Sequence, residues 1–235
     1  MGSSLLKVIK THIDMAKAAA TKKTEKKVSR EKLISAYKEY VLEEGHAPPS
    51  VFKFMRTLGY SEKEFYDYFG SFTALERSLW QDFIRQTVVI LEKDEAYPEF
   101  NSREKLLSFY FTLIEVLKSN RSFVQQSWSW SPGQDPRPRT LRGFRDDFED
   151  YVHEILAEGR ATSEIKDRKY ISDKYSDGLW LQTLFIIHYW LNDDSEGFSN
   201  TDAAIEKSVN LSFELMGAGP LDKMIDFAKF LIQHR

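Results

Sequence analysis

The stretch Ser50–Leu75, SVFKFMRTLGYSEKEFYDYFGSFTAL, sets three serines and two glycines at intervals that leave little choice of local structure. Ser50 is placed to N-cap a helix whose apolar residues Val51, Phe54, Met55 and Leu58 recur at helical spacing until Gly59 stops it. Ser61 is placed to cap a second helix, in which Phe65, Tyr66, Tyr68 and Phe69 run up to Gly70. Ser71 then caps a third, beginning with Phe72 and Leu75. Two short helices joined near a glycine have the form of a helix-turn-helix, and an ordinary helical hairpin uses the same signals.

The chain of 235 residues is long enough for one large helical domain or for a small one followed by a larger one. Its 42% hydrophobic content supports a core and excludes wholesale disorder. With no cysteine there is no disulfide, thiolate nucleophile or cysteine-held metal, as fits a reducing compartment. Charge is unevenly placed. Residues 1–30 hold eight cations against two anions, a net of +6, which leaves −9 for the rest of a chain whose formal charge is −3. Residues 1–29 are therefore read as a basic, disordered arm outside the fold, and Met15 is an alternative start. Such an arm beside a helix-turn-helix can lie along DNA phosphates. The longest apolar run, Gly178–Leu191, is too short for a bilayer and is interrupted by Gln182, Thr183 and His188. The start has no secretory cleavage pattern, and Leu6 stands where myristoylation wants Ser or Thr. No transmembrane segment is expected, and the expected location is the cytoplasm.

Helical periodicity continues along the chain. Arg30–Glu44 places Leu33, Ile34, Tyr37, Tyr40 and Val41 on one face before Gly45 and the Pro48-Pro49 pair. From Ser71 a longer helix runs to about Lys93. Asn101 with Glu104 has the form of a capping box opening a helix to about Lys118, and a shorter piece follows from Arg121 to about Ser129. Three prolines and a glycine make Ser129–Arg139 a loop, after which Leu141, Phe144, Phe148, Val152 and Ile155 mark a helix ending near Gly159. Ile171–Leu191 is apolar around much of its circumference, which implies burial on more than one side. Thr201–Met216 offers Ile205, Val209, Phe213 and Met216 as one stripe. Leu221–Ile232 carries Met224, Ile225, Ala228, Leu231 and Ile232 on one face. No strand alternation is present, so the expected fold is all-α: a three-helix head in residues 30–74 on a larger helical domain in residues 75–235.

Nothing in the chain reads as a catalytic centre. The five histidines are scattered, without a metal-binding pair, and the run Asp146, Asp147, Glu149, Asp150 reads as a solvated helix face. Nucleophile-elbow, dinucleotide and phosphate-loop motifs are absent. No catalytic residue, metal or cofactor is assigned, and an enzyme is not expected.

The order GHAPPSV, FMRTLGYS and FYDYFGSFTAL resembles the N-terminal DNA-binding domain of tetracycline-repressor (TetR) family regulators over roughly Arg30–Leu79. Gly45 and Gly59 match the family's helix-ending glycines. Tyr66, Tyr68 and Phe69 match its aromatic cluster ahead of Gly70-Ser71. The resemblance implies an all-α homodimer that binds double-stranded DNA through its first three helices and a small apolar ligand through the remainder. It implies DNA contacts from Lys53, Thr57, Ser61, Lys63, Tyr66 and Tyr68, with Lys26 and Lys27 of the arm on phosphates. Pocket candidates are Phe109, Leu113, Trp128, Phe148, Tyr151 and Trp180. The dimer's four-helix bundle falls on Ile171–Leu191 and Thr201–Met216, with Leu181, Phe185, His188, Ile205, Val209 and Phe213 at the interface. The chain departs from the family at Glu62, Lys63, Glu64, Asp67 and Phe72, and all but Lys63 remove a cation or add an anion on the face meant for phosphates. A weaker resemblance, over Trp190–Val209, is to TetR-fold lipid-binding accessory proteins of ubiquinone biosynthesis. It implies the alternative of a lipid or isoprenoid binder with a degenerate head, for which Leu221–Ile232 would be a membrane-touching helix.

Overall fold

The computed structural model describes residues 27–168 and 171–219, with Asp222, Met224, Phe227, Phe230 and Leu231 beyond them. Every regular element among the described residues is helical. A head is formed by α1 (Arg30–Glu44), α2 (Val51–Leu58) and α3 (Glu62–Tyr66). The long α4 (Phe72–Glu92) leads from it into a body of α5 (Ser102–Lys118), α6 (Arg121–Ser127), α7 (Arg142–Ala161), α8 (Tyr175–Leu191) and α9 (Ser199–Met216). The arm up to Lys26 and most of the segment predicted as Leu221–Ile232 lie outside the described residues.

Local chemistry sets the ends of these helices. The Ser50 hydroxyl accepts from the Lys53 amide, Ser71 accepts from Ala74, and Asn101 and Glu104 close the expected capping box. Gly45 and Gly59 end α1 and α2 in the left-handed region, at φ 71° and 78°. At Gly59 a side chain would meet nothing within 4 Å, so the cost of adding one is conformational alone. Gly59→Ala is expected to lower stability by about 1 kcal/mol, read as a shifted urea midpoint at constant slope. The helix α3 is shorter than the predicted run to Gly70. It stops at Tyr66 because Phe69 turns inward to 5% exposure, with the Arg30 guanidinium 5.7 Å from its ring centre.

In the body, α4 packs against α5 and α7, and α9 against α5 and α8. Gln81 and Arg85 of α4 bond the Asp147 carboxylate of α7, so that member of the acidic run is an inter-helix contact. Asp193 organises the α8–α9 turn, accepting from the Thr201 amide at 2.8 Å and hydroxyl at 2.6 Å and from the Ser195 amide at 2.9 Å. Burial opposes its charge, yet these bonds outweigh burial and hold the carboxyl well below the usual carboxylate range.

Arg168, 7% exposed, ends α9. Its guanidinium donates to the carbonyls of Leu215, Met216 and Gly217, to the Tyr175 hydroxyl at 2.6 Å, and to both Asp222 oxygens at 2.9 and 3.1 Å. One buried cation thus satisfies the orphan carbonyls of a helix end and ties down the chain that follows.

Candidate functional site

The head is built around rings. Phe65 is fully buried, with its ring centre 6.5 Å from Phe54, 5.9 Å from Phe69 and 5.3 Å from Phe72, while Phe72 stacks on Tyr37 at 5.4 Å. Phe72, one of the positions that depart from the family, is half-buried and packs against the head's core.

The predicted DNA contacts divide into two groups. Lys53, Thr57, Lys63 and Tyr66 are exposed on α2 and α3, and Arg56, which sequence reasoning missed, is exposed beside them. Its signal was its place one helical turn past Lys53 and Phe52, whose ring it overlies at 5.9 Å. The other group is engaged internally. The Tyr68 hydroxyl donates to the Val28 carbonyl at 2.9 Å, and the Ser61 hydroxyl donates to Glu64 at 3.0 Å. Val28 is 1% exposed and its amide donates to Glu64 at 3.4 Å, while Lys27 pairs with Asp67 at 3.6 Å. The root of the basic arm is therefore stitched onto α3. Lys26 lies outside the described residues.

This stitching gives the acidic residues partners within the chain. Glu64 accepts from the Ser61 amide at 2.9 Å as well as from Val28, and the Ser61 bond leads the causes that lower its pKa. Its anion is spent on the helix start and on the arm, and Asp67 is spent on Lys27. Glu62 accepts from the Tyr66 hydroxyl at 3.3 Å.

The predicted pocket residues are mostly a filled core. Phe109, Leu113 and Phe148 are fully buried and Trp180 is 2% exposed. Phe109 stacks on half-buried Tyr151 at 4.7 Å and lies 5.6 Å from Phe148, which lies 5.8 Å from Trp180. Phe109, Leu113, Phe148 and Trp180 thus fill the core, and of the rings in this cluster Tyr151 alone borders open space. Trp128 belongs to a second cluster, 5.7 Å from Trp80, and its indole N–H donates to His188 Nδ1 at 3.4 Å. Space is found elsewhere. An apolar surface cleft of about 510 Å³ is lined by Trp130, Gly178, Leu181, Phe185 and Leu211, with Gln182 and Ser212 as polar groups. A smaller gap of about 90 Å³ lies beside Tyr97, Lys105 and Tyr151.

The predicted dimer residues also divide. Leu181 and Phe185 are exposed on α8, at 50% and 41%, and His188 is half-buried against the tryptophans. Ile205, Val209 and Phe213 face the chain's own core and are at most 2% exposed, so they are corrected to core residues. The outward apolar residues are Tyr189 on α8 and Leu211 and Leu215 on α9. Two apolar stripes compete on α9, and α5 covers the larger. Among the described residues no three His, Asp or Glu side chains are grouped to hold a metal ion.

Residues 105–231 match the family model of the tetracyclin repressor-like C-terminal domain. No curated protein matches the chain in sequence. Solved structures similar in fold include a protein of Syntrophomonas wolfei assigned to the TetR-family transcriptional regulators. It is 15% identical, with a TM-score of 0.63 over 81% of this chain and 97% of that one. A protein of Shewanella sp. PV-4 with the same assignment is 13% identical, with a TM-score of 0.55 over 81% and 98%. A protein of unknown function from Rhodococcus sp. RHA1 is 14% identical, with a TM-score of 0.55 over 83% and 100%. The family match spans more than half of the chain, from α5 onward, and completes what the head's glycine and aromatic spacing began: the chain belongs to the tetracyclin repressor-like (TetR) family of transcription regulators.

Proposed function

We propose that this protein binds a duplex DNA operator as a homodimer in the cytoplasm and that a small apolar effector shifts it between DNA-competent and incompetent states. The observation that carries the reading is that Lys53, Arg56, Thr57, Lys63 and Tyr66 are exposed on α2 and α3 of a head whose core is closed, while Glu64 accepts from the Ser61 and Val28 amides and Asp67 pairs with Lys27 at the surface. α3 is the element to enter the major groove, with the α2 cations on phosphates. Among the described residues no helix is long and apolar enough to cross a membrane.

Leu181, Phe185, Tyr189, Leu211 and Leu215 give α8 and α9 an outward apolar face, which supports their pairing with the same helices of a second copy. The 510 Å³ cleft opens on that face, in the size range of small-molecule sites. An effector bound there would change how two subunits meet and so the separation of their heads, a population shift. Leu181→Glu combined with Leu211→Glu is expected to yield folded monomer by analytical ultracentrifugation and to lose DNA binding. A double variant that remains dimeric would remove this face from the assembly.

Exposed Met224, Phe227 and Leu231 favour a second reading, a lipid binder without DNA function. Native mass spectrometry separates the two: a retained lipid together with absent DNA binding selects the second.

A further inference from the structure

We propose that a basic shelf beside the first turn of α4, made by Arg137 and Arg139 with Thr73, takes a backbone phosphate of the DNA bound by the head. The inference rests on the DNA-binding reading above and adds a contact from the body, outside the helix-turn-helix.

The loop after α6 folds back against the start of α4, leaving an open cleft of about 510 Å³. Thr73, Trp130, Gln134, Arg137, Arg139 and Thr140 are among its lining residues. Thr73 lies two residues past Ser71, the cap of α4. The connection from the end of α3 at Tyr66 to the start of α4 at Phe72 keeps Thr73 of the shelf within about 25 Å of Tyr66. A duplex seated on α3 brings its sugar-phosphate backbone into that range.

The arginines of the shelf outnumber its one carboxylate, Asp135. Arg30, Arg85, Arg145 and Arg168 each pair with a carboxylate. Arg137 and Arg139 are exposed, and among the described residues neither has a carboxylate partner. The one acid in the cleft, Asp135, accepts from Arg137's own backbone amide at 3.1 Å and so is tied to the turn. Arg77 extends the patch, donating through Nε to the Arg139 carbonyl at 3.3 Å, and Arg142 follows on the exposed start of α7. In a body that is acidic as a whole, unpaired guanidiniums gathered at the end nearest the head fit a polyanion.

The N-terminus of the 21-residue α4 adds its positive end at Thr73. The position beside the head commits the shelf to DNA rather than to a free phosphorylated metabolite.

The test compares the full chain with the Arg137→Ala/Arg139→Ala variant on a fluorescein-labelled random-sequence duplex, by anisotropy across a salt series. Both side chains are exposed and unpaired, so circular dichroism and thermal melting should not change. The expected result is a log–log salt slope shallower by about 1 and binding at low salt weaker by about tenfold or more, with Arg137→Lys/Arg139→Lys restoring most of the slope. A double-alanine variant that folds and keeps the wild-type slope overturns the inference while leaving the DNA-binding reading intact. Saturable binding of inorganic phosphate or a nucleotide that the variant loses, with DNA binding unaltered, also overturns it in favour of a metabolite. Wild-type protein that binds no duplex at any salt overturns both.

Discussion

Phe65→Ala is expected to destabilise the chain by about 3–5 kcal/mol and to abolish DNA binding with it. Phe65 is the one buried residue of α3, a helix of five residues. A helix of that length has no stability of its own in water, so its place in the head depends on what its buried side chain touches. Phe65 touches Phe54 of α2, Phe72 of α4 and Phe69 of the intervening turn. Removing the ring leaves a cavity that these three aromatic neighbours cannot close without leaving their own contacts. Urea unfolding followed by tryptophan fluorescence measures the loss, and duplex binding below the new midpoint measures the function. Tyr66→Ala separates the two effects: Tyr66 is 53% exposed, so that variant should keep its stability to within about 0.5 kcal/mol and still lose affinity for DNA. A Phe65→Ala protein within 1 kcal/mol of wild type would show that α3 is held in place by something other than this core.

The second large effect is at Arg168. Arg168→Ala removes a buried cation and leaves the carbonyls of Leu215, Met216 and Gly217, the Tyr175 hydroxyl and the Asp222 carboxylate without their shared donor. A loss of about 3 kcal/mol is expected. The same contact predicts a pH dependence. Arg168 first and Lys166 second hold the Asp222 carboxyl well below the usual carboxylate range. A carboxyl whose folded pKa is depressed contributes its full stabilisation above its unfolded value near 3.9 and loses it as pH falls toward the folded value. The tether on the segment after α9 should therefore hold through neutral and mildly acidic pH and fail in strong acid. Hydrogen exchange of that segment reads this directly, and Asp222→Asn should reproduce the acid result at neutral pH. Asp193 shifts in the same direction, so the segment-specific readout and the Asn variant are needed to separate local release from loosening of the α8–α9 turn.

What could be read from the sequence was local. Ser50, Gly59, Ser71 and the Asn101–Glu104 pair act within a few residues of themselves, and the helix ends they imply are those observed. What could not be read depended on a distant partner. Tyr68 and Glu64 looked like surface residues of a recognition helix until Val28 came to lie against them. Phe109, Phe148 and Trp180 have the composition of a pocket wall and of a core alike, and only their mutual packing decides. On α9, Ile205, Val209 and Phe213 form one apolar stripe and Leu211 and Leu215 another. Periodicity finds both without saying which one the chain covers by itself. Arg137 and Arg139 read as loop residues, since their relation to α4 arises from a fold-back that no local pattern encodes.

The most direct measurement is selection of bound fragments from sheared genomic duplex DNA by the purified full-length protein at low salt, followed by a salt titration on the recovered fragment. The expected result is a preferred, two-fold-related site bound by two subunits, with affinity falling steeply as salt rises. Recovery of fragments with no shared sequence, from a protein shown to be folded, would contradict it.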